Sequence, residues 1–177
     1  NEADYETQGS LIKCNPAVKS AADQQALLDA VRNDVLDIIA TDHAPHTWEE
    51  KQNSYFKAPS GVPLVQHSLQ ALLELYHNGV FSLETIVKKT SHAVAERFQV
   101  QDRGYIREGY FADLVLLDLG KPYVVTDSNL LYLCGWSPFN GYRFQSTIEM
   151  TLVNGQIAWQ NGQVTDKVLG KRLTFNR

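Results

Sequence analysis

Six residues carrying a single charge, Val35-Leu36-Asp37-Ile38-Ile39-Ala40, run directly into Thr41-Asp42-His43-Ala44-Pro45-His46. The first half reads as a buried strand, since a short apolar run suits the interior of a sheet. The second half places a carboxylate and two imidazoles together where that strand ends. In a β/α barrel, this end of a strand is where catalytic groups collect. An aspartate there can bind a divalent metal and also move protons, because its oxygens offer several lone pairs. A strand followed by an ordinary polar loop would look similar, so the flanking sequence decides.

Upstream, Leu11-Ile12-Lys13-Cys14 reads as a short strand ended by Asn15-Pro16. Ser20-Ala21-Ala22-Asp23 resembles a capping box, and a helix is predicted from there to about Asn33, with Ala26, Leu27, Ala30 and Val31 on one side. Downstream, Thr47 to Ser60 reads as a polar loop, long enough to be functional and expected to close over a bound substrate. A helix is predicted from Pro63 through Tyr76, ended by Gly79, followed by two shorter ones capped by Ser82 and Ser91.

The pattern changes near Gly104. Asp113 to Asp118 reads as a strand, Thr147 to Val153 alternates, and Asn154-Gly155 and Asn161-Gly162 mark the turns of a β-meander. Two β/α units come first and an all-β region follows. A two-stranded parallel sheet is too small to bury both of its faces. The remaining strands are expected from a missing amino-terminal half, and exposed edges from pairing with that half or with a copy of the chain as a homo-oligomer.

Composition narrows the classes. The 177 residues are 44% hydrophobic and 20% charged, with a net charge of −4. No basic run suggests a nucleic-acid partner. No stretch approaches the ~20 apolar residues of a membrane span. Asn1 to Glu6 is polar and acidic, unlike a secretory leader, and Cys14 and Cys134 form no CxxC pair. A reduced, cytoplasmic setting is expected.

Several segments together carry a resemblance. Asp42-His43-Ala44-Pro45-His46 after an apolar strand is similar to the last barrel strand of metal-dependent amidohydrolases, and within them to dihydroorotases of the longer bacterial class. Lys13-Cys14-Asn15-Pro16-Ala17-Val18-Lys19 resembles that family's Lys-x-Asn-Pro-Pro-Leu-Arg. Glu49-Glu50-Lys51 and Ala58-Pro59-Ser60-Gly61 resemble its following loop. Gly109-Tyr110-Phe111-Ala112-Asp113-Leu114-Val115 resembles the start of its final β-domain, and Ser137 to Gly141 and Val153-Asn154-Gly155 continue the match. Two departures stand out: Ala17 replaces a proline, and Ser60-Gly61 replaces a bulkier Phe-Gly type of sequence.

The resemblance implies an α/β fold: the carboxyl-terminal part of a (β/α)8 hydrolase barrel over residues 1–100, then a small β-sandwich-like domain over 101–177 that is incomplete without amino-terminal strands. It implies zinc-dependent, reversible hydrolysis of dihydroorotate to N-carbamoyl-aspartate in pyrimidine synthesis, with two Zn²⁺ in the complete site. Asp42 matches the metal-binding and proton-shuttling aspartate. Asn15 and His46 match substrate-contacting positions, and Ser60 and Gly61 a loop whose backbone holds the pyrimidine ring. The family site also needs a His-x-His, a carboxylated lysine and two further histidines, which His43, His46, His67, His77 and His92 do not supply in that pattern. The 177-residue chain alone is therefore expected to be inactive. The rival readings are another cyclic-amide hydrolase of hydantoinase or allantoinase type, and an inactive dihydroorotase-like structural partner.

The chemistry agrees with this reading. Opening a cyclic amide needs an activated water and a proton for the leaving nitrogen, and one carboxylate can accept the first proton and return it. An imidazole that donates a hydrogen bond suits a substrate carboxylate. Other residues read as structural: His67, His77 and His92 as packing or surface groups, Cys14 and Cys134 as buried small hydrophobes, Trp136 as a wedge between the barrel and the β-domain, and Glu49-Glu50-Lys51 as a solvated face.

Overall fold

The computed structural model describes residues 1–165 and 170–176. The chain opens with a 3₁₀ turn over Glu2–Asp4, a short helix, α1 (Tyr5–Gln8), and a second 3₁₀ turn over Gly9–Ile12. Next come α2 (Ala21–Arg32), α3 (Trp48–Lys51), α4 (Ser68–His77), α5 (Leu83–Val87) and α6 (Ala93–Phe98). The strands follow: β1 (Leu114–Asp118), β2 (Tyr123–Val124), β3 (Arg143–Phe144), β4 (Thr147–Val153), β5 (Gln156–Gln160) and β6 (Gln163–Val164).

Local signals explain where several elements begin and turn. The Ser20 hydroxyl accepts from the Asp23 amide at 3.2 Å, and the Asp23 carboxylate accepts from the Ser20 amide at 3.2 Å, so the start of α2 is closed in both directions. Ser82 caps α5 through the Thr85 amide. Both Asn-Gly pairs sit in the left-handed region, with φ of 52° and 78° at Asn154-Gly155 and 54° and 79° at Asn161-Gly162. That geometry suits the twist of a tight hairpin. The resulting sheet is antiparallel throughout, in the order β1-β4-β5-β6. The pairing of β1 with β4 joins segments about thirty residues apart, beyond the reach of local pattern.

Three expectations about elements are corrected. First, Leu11–Cys14 and Val35–Ala40 are not paired as strands here. A strand exists through its neighbour's hydrogen bonds, and the only parallel contact at the motif among the described residues is a single rung from His43 to Val62. Val35 is accordingly 73% exposed. Second, α4 starts at Ser68 rather than Pro63. The amides of Leu64 and Val65 donate to His43 Nδ1 at 3.1 and 3.3 Å, and that of Gln66 to the Tyr132 hydroxyl at 2.9 Å. Those side chains keep Pro63 and Leu64 out of the helix and lead into a turn over residues 65–67. Third, Ser91 caps nothing. It lies inside a π-helical stretch, Lys88–His92, that joins α5 to α6 without a break.

One apolar core gathers Val31, Leu73, Phe81 and Ile86, with Leu28, Leu69, Leu72 and Tyr76 packed around them. The buried side of α2 is therefore Leu28 and Val31, while Leu27 is 57% exposed. A second, aromatic cluster surrounds His67, which lies within 6.5 Å, centroid to centroid, of Tyr123, Tyr132, Phe139 and Phe144. The β2–β3 ribbon belongs to this cluster and leans on α4. The Gln145 amide donates to Glu74 at 2.6 Å, and His77 Nε2 lies 2.7 Å from the Ser146 hydroxyl. Cys14 and Cys134 are unpaired and half-buried, more open than the interior positions expected for them.

His67 has a measurable consequence for stability. It is fully buried, and its Nε2 has no hydrogen-bond partner among the described residues. Burial pushes its pKa down to about 4, against roughly 6.5 in an unfolded chain. Between those two values the unfolded state holds the extra proton, so stability rises with pH through that window and falls on acidification. Melting temperature against pH in the complete protein should show this slope, and His67→Leu should flatten it. An unchanged slope in the variant would assign the acid sensitivity elsewhere.

Candidate active site

The motif turns where the expected strand would end. Asp42 sits at φ 46°, in the left-handed region, with its side chain exposed. Few residues accept that conformation, and aspartate and asparagine are among those that do. Strain of this kind gathers at functional sites. After the turn, the Ala44 amide donates to the Val62 carbonyl at 3.2 Å, which lays residues 43–46 beside 60–62.

His43 faces the interior of this arrangement. Its Nδ1 accepts from two amides, so that nitrogen carries the lone pair and the proton sits on Nε2. Its ring stacks on Tyr132 with centroids 5.5 Å apart. His43 thus shapes the chain after the site.

His46 faces the other way, onto the loop. Its Nε2 lies 3.0 Å from the Ser60 carbonyl and so donates to it. Its Nδ1 lies 3.7 Å from the Glu50 carboxylate. Hydrogen bonds from Thr47, its backbone amide first, hold the Glu50 carboxyl below its usual pKa range. The His46 carbonyl accepts from the Trp136 indole at 2.8 Å. Trp136, buried and 6.1 Å from Trp48 between ring centroids, anchors the motif to the later part of the chain.

Gly61 is buried at φ 141°, and a Cβ there would meet the Ala44 Cβ at 2.5 Å and His46 Cδ2 at 2.9 Å. Only glycine fits so close an approach. Its amide donates to the Lys13 carbonyl at 2.9 Å, and its carbonyl accepts from Lys51 at 2.8 Å. Ser60 and Asn15 are exposed. The chain thus brings residues 13, 42–46 and 60–61 into one neighbourhood, with Asn15 two residues beyond Lys13.

The segment after the motif differs from the open loop expected. Thr47 and Glu50 form a reciprocal cap for α3. The Thr47-x-x-Glu50 spacing is a capping-box signature, so this helix was visible in the sequence. Lys51, expected on a solvated face, is 0% exposed. Lys13 also ties the segment down, donating to the carbonyls of Tyr55 at 2.8 Å and Ala58 at 2.7 Å. Phe56, 95% exposed, marks the tip between these anchors. No pattern in the sequence singles out the two lysines, because their acceptors are backbone carbonyls.

A metal centre must be judged against these donors. Asp42 suits one position, as an exposed carboxylate on a strained turn. Among the described residues no three His, Cys, Asp or Glu side chains come together as a metal would require. The chain can contribute a ligand and does not by itself enclose an ion.

Comparison with known proteins agrees with the motif. The sequence model of the Amidohydrolase family matches residues 11–158. A dihydroorotase of Halobacterium salinarum is 35% identical over 162 residues, covering 92% of this chain and 38% of that protein. An allantoinase of Desulfitobacterium hafniense is 30% identical over 171 residues, covering 96% of this chain and 38% of that protein. Among solved structures, the L-hydantoinase (dihydropyrimidinase) of Arthrobacter aurescens matches with a TM-score of 0.88 at 29% identity, over 93% of this chain and 38% of that one. The chain spans well under half the length of these relatives. Its sequence and its fold together place it in the amidohydrolase family, of whose fold it carries a portion.

Proposed function

We propose that the complete protein hydrolyses a cyclic amide, with dihydroorotate as substrate and N-carbamoyl-aspartate as product. The observation that carries this reading is the pairing of Asp42 on its strained turn with His46 four residues later, beside the Ser60-Gly61 backbone. Relatives named dihydroorotase at 33–35% identity support the choice of substrate. Residues 1–100 then form the carboxyl-terminal part of a β/α barrel and 101–177 a β-domain, and the rest of the protein completes both. Unpaired cysteines suit a cytoplasmic setting. No helix among the described residues is long and apolar enough to cross a membrane.

In this mechanism Asp42 takes a proton from the attacking water as the new carbon–oxygen bond forms. The ring carbon–nitrogen bond breaks, and Asp42 returns the proton to the departing nitrogen. Asn15, His46 and the Ser60-Gly61 loop bind and orient the substrate. Bound zinc, with Asp42 as one of its ligands, would supply a more acidic water. The remaining ligands would come from outside this chain.

An allantoinase- or hydantoinase-type activity is the second reading, favoured by the allantoinase relative and by the 0.88 structural match. Assay of the complete protein with dihydroorotate, allantoin and hydantoin separates the two. Preference for either of the latter would replace dihydroorotate as the substrate, and no turnover with any would favour the structural-partner reading.

His46 provides a finer test. On this reading the His46 Nε2–H exchanges the Ser60 carbonyl for the substrate carboxylate on binding, so His46→Ala should weaken dihydroorotate binding by up to roughly 1.5–3 kcal/mol, the usual worth of a charge-assisted hydrogen bond. Metal content should stay unchanged, and His46→Gln, which keeps a donor, should recover part of the loss. Loss of a full equivalent of zinc from His46→Ala would make His46 a ligand instead.

A further inference from the structure

We infer that Lys51 is a positioning residue for substrate recognition, its buried ammonium setting the Ser60–Gly61 loop against the chain that carries Asn15. This rests on the cyclic-amide reading above. The ammonium donates to three backbone carbonyls: Lys13 at 3.1 Å, Pro59 at 3.0 Å and Gly61 at 2.8 Å. Three acceptors converging on one nitrogen require three N–H groups, which only the charged form supplies. Burial first, with the nearby Lys13 charge adding to it, pulls the pKa of Lys51 below its ordinary range, and the carbonyls offset that cost by solvating the charge.

The geometry says what the clamp controls. Two of its acceptors bracket Ser60, and the third lies two residues before Asn15. The same Lys13 carbonyl also accepts from the Gly61 amide, so Lys13 and Gly61 are locked together from both sides. The Ser10 hydroxyl bonds the Lys51 carbonyl at 2.5 Å and fixes the base of the clamp. Asp42 is on none of these bonds. A charge that served only to stabilise the fold would have no reason to act on binding selectively. A clamp on the two proposed substrate-contacting segments must act on binding first.

The experiment uses the complete protein and three variants. Lys51→Met keeps the length and removes all three bonds. It should raise KM about tenfold or more, the size expected from displaced binding contacts, while kcat stays within about threefold. Ile86→Ala, in the apolar core away from the loop, lowers stability as a control and should leave KM unchanged. Unchanged KM in Lys51→Met, or a KM that rises equally in Ile86→Ala, would overturn the proposal. If Lys51→Met fails to fold, Gly61→Ala disturbs the same loop from its other side, and a wild-type KM there would overturn it too. The ratio is read on whichever cyclic amide the wild type turns over. An inactive wild type sinks the functional reading and this one with it, whereas an active wild type with indifferent variants sinks this one alone.

Discussion

Asp42→Asn in the complete protein should abolish turnover, by on the order of 10²-fold or more, while leaving the fold intact. The backbone argues for the second half of that statement. At φ 46° most substitutions would add strain, but asparagine accepts the left-handed region as readily as aspartate. The amide keeps one acceptor oxygen and loses the ability to take up a proton at neutral pH. Steady-state kinetics beside a melting curve would test both halves. Near-normal turnover with a normal melt would remove Asp42 from the chemistry. Loss of both activity and melting temperature would instead make Asp42 a residue of the fold.

The second large effect concerns the 177 residues alone. They should neither hold a two-zinc centre nor hydrolyse dihydroorotate. Asp42 has no companion set of ligands among the described residues, and one carboxylate cannot close a two-metal site. The segment that should carry it pairs with no strand among the described residues, and Val35 and Leu36 stand exposed. β1 lies at a sheet edge with Val115, Leu116 and Leu117 exposed. Such edges pair with whatever strand they meet, so the isolated chain should also aggregate or associate with itself. Zinc content, turnover and light scattering of the 177-residue protein, beside the complete one, would decide. Stoichiometric zinc with measurable hydrolysis would require a different ligand set altogether.

Sequence alone determined those features whose causes lie within a few residues. The Ser20–Asp23 box opens α2 because donor and acceptor are three positions apart. The Asn-Gly pairs turn the β-meander because the backbone region they need is a property of those residues. The clustering of a carboxylate and two imidazoles at Asp42-His43-Ala44-Pro45-His46 was legible for the same reason: its groups are neighbours in the chain. Tertiary structure decided the rest. Lys51 looked like a solvated charge and became a buried clamp, because its three acceptors are carbonyls up to thirty-eight residues away. α4 begins five residues late because His43 and Tyr132 bind the amides that would have opened it. The run from Val35 to Ala40 has a strand's composition without a strand's hydrogen bonds, since a ladder belongs to two segments and no described residue pairs with this one as a strand.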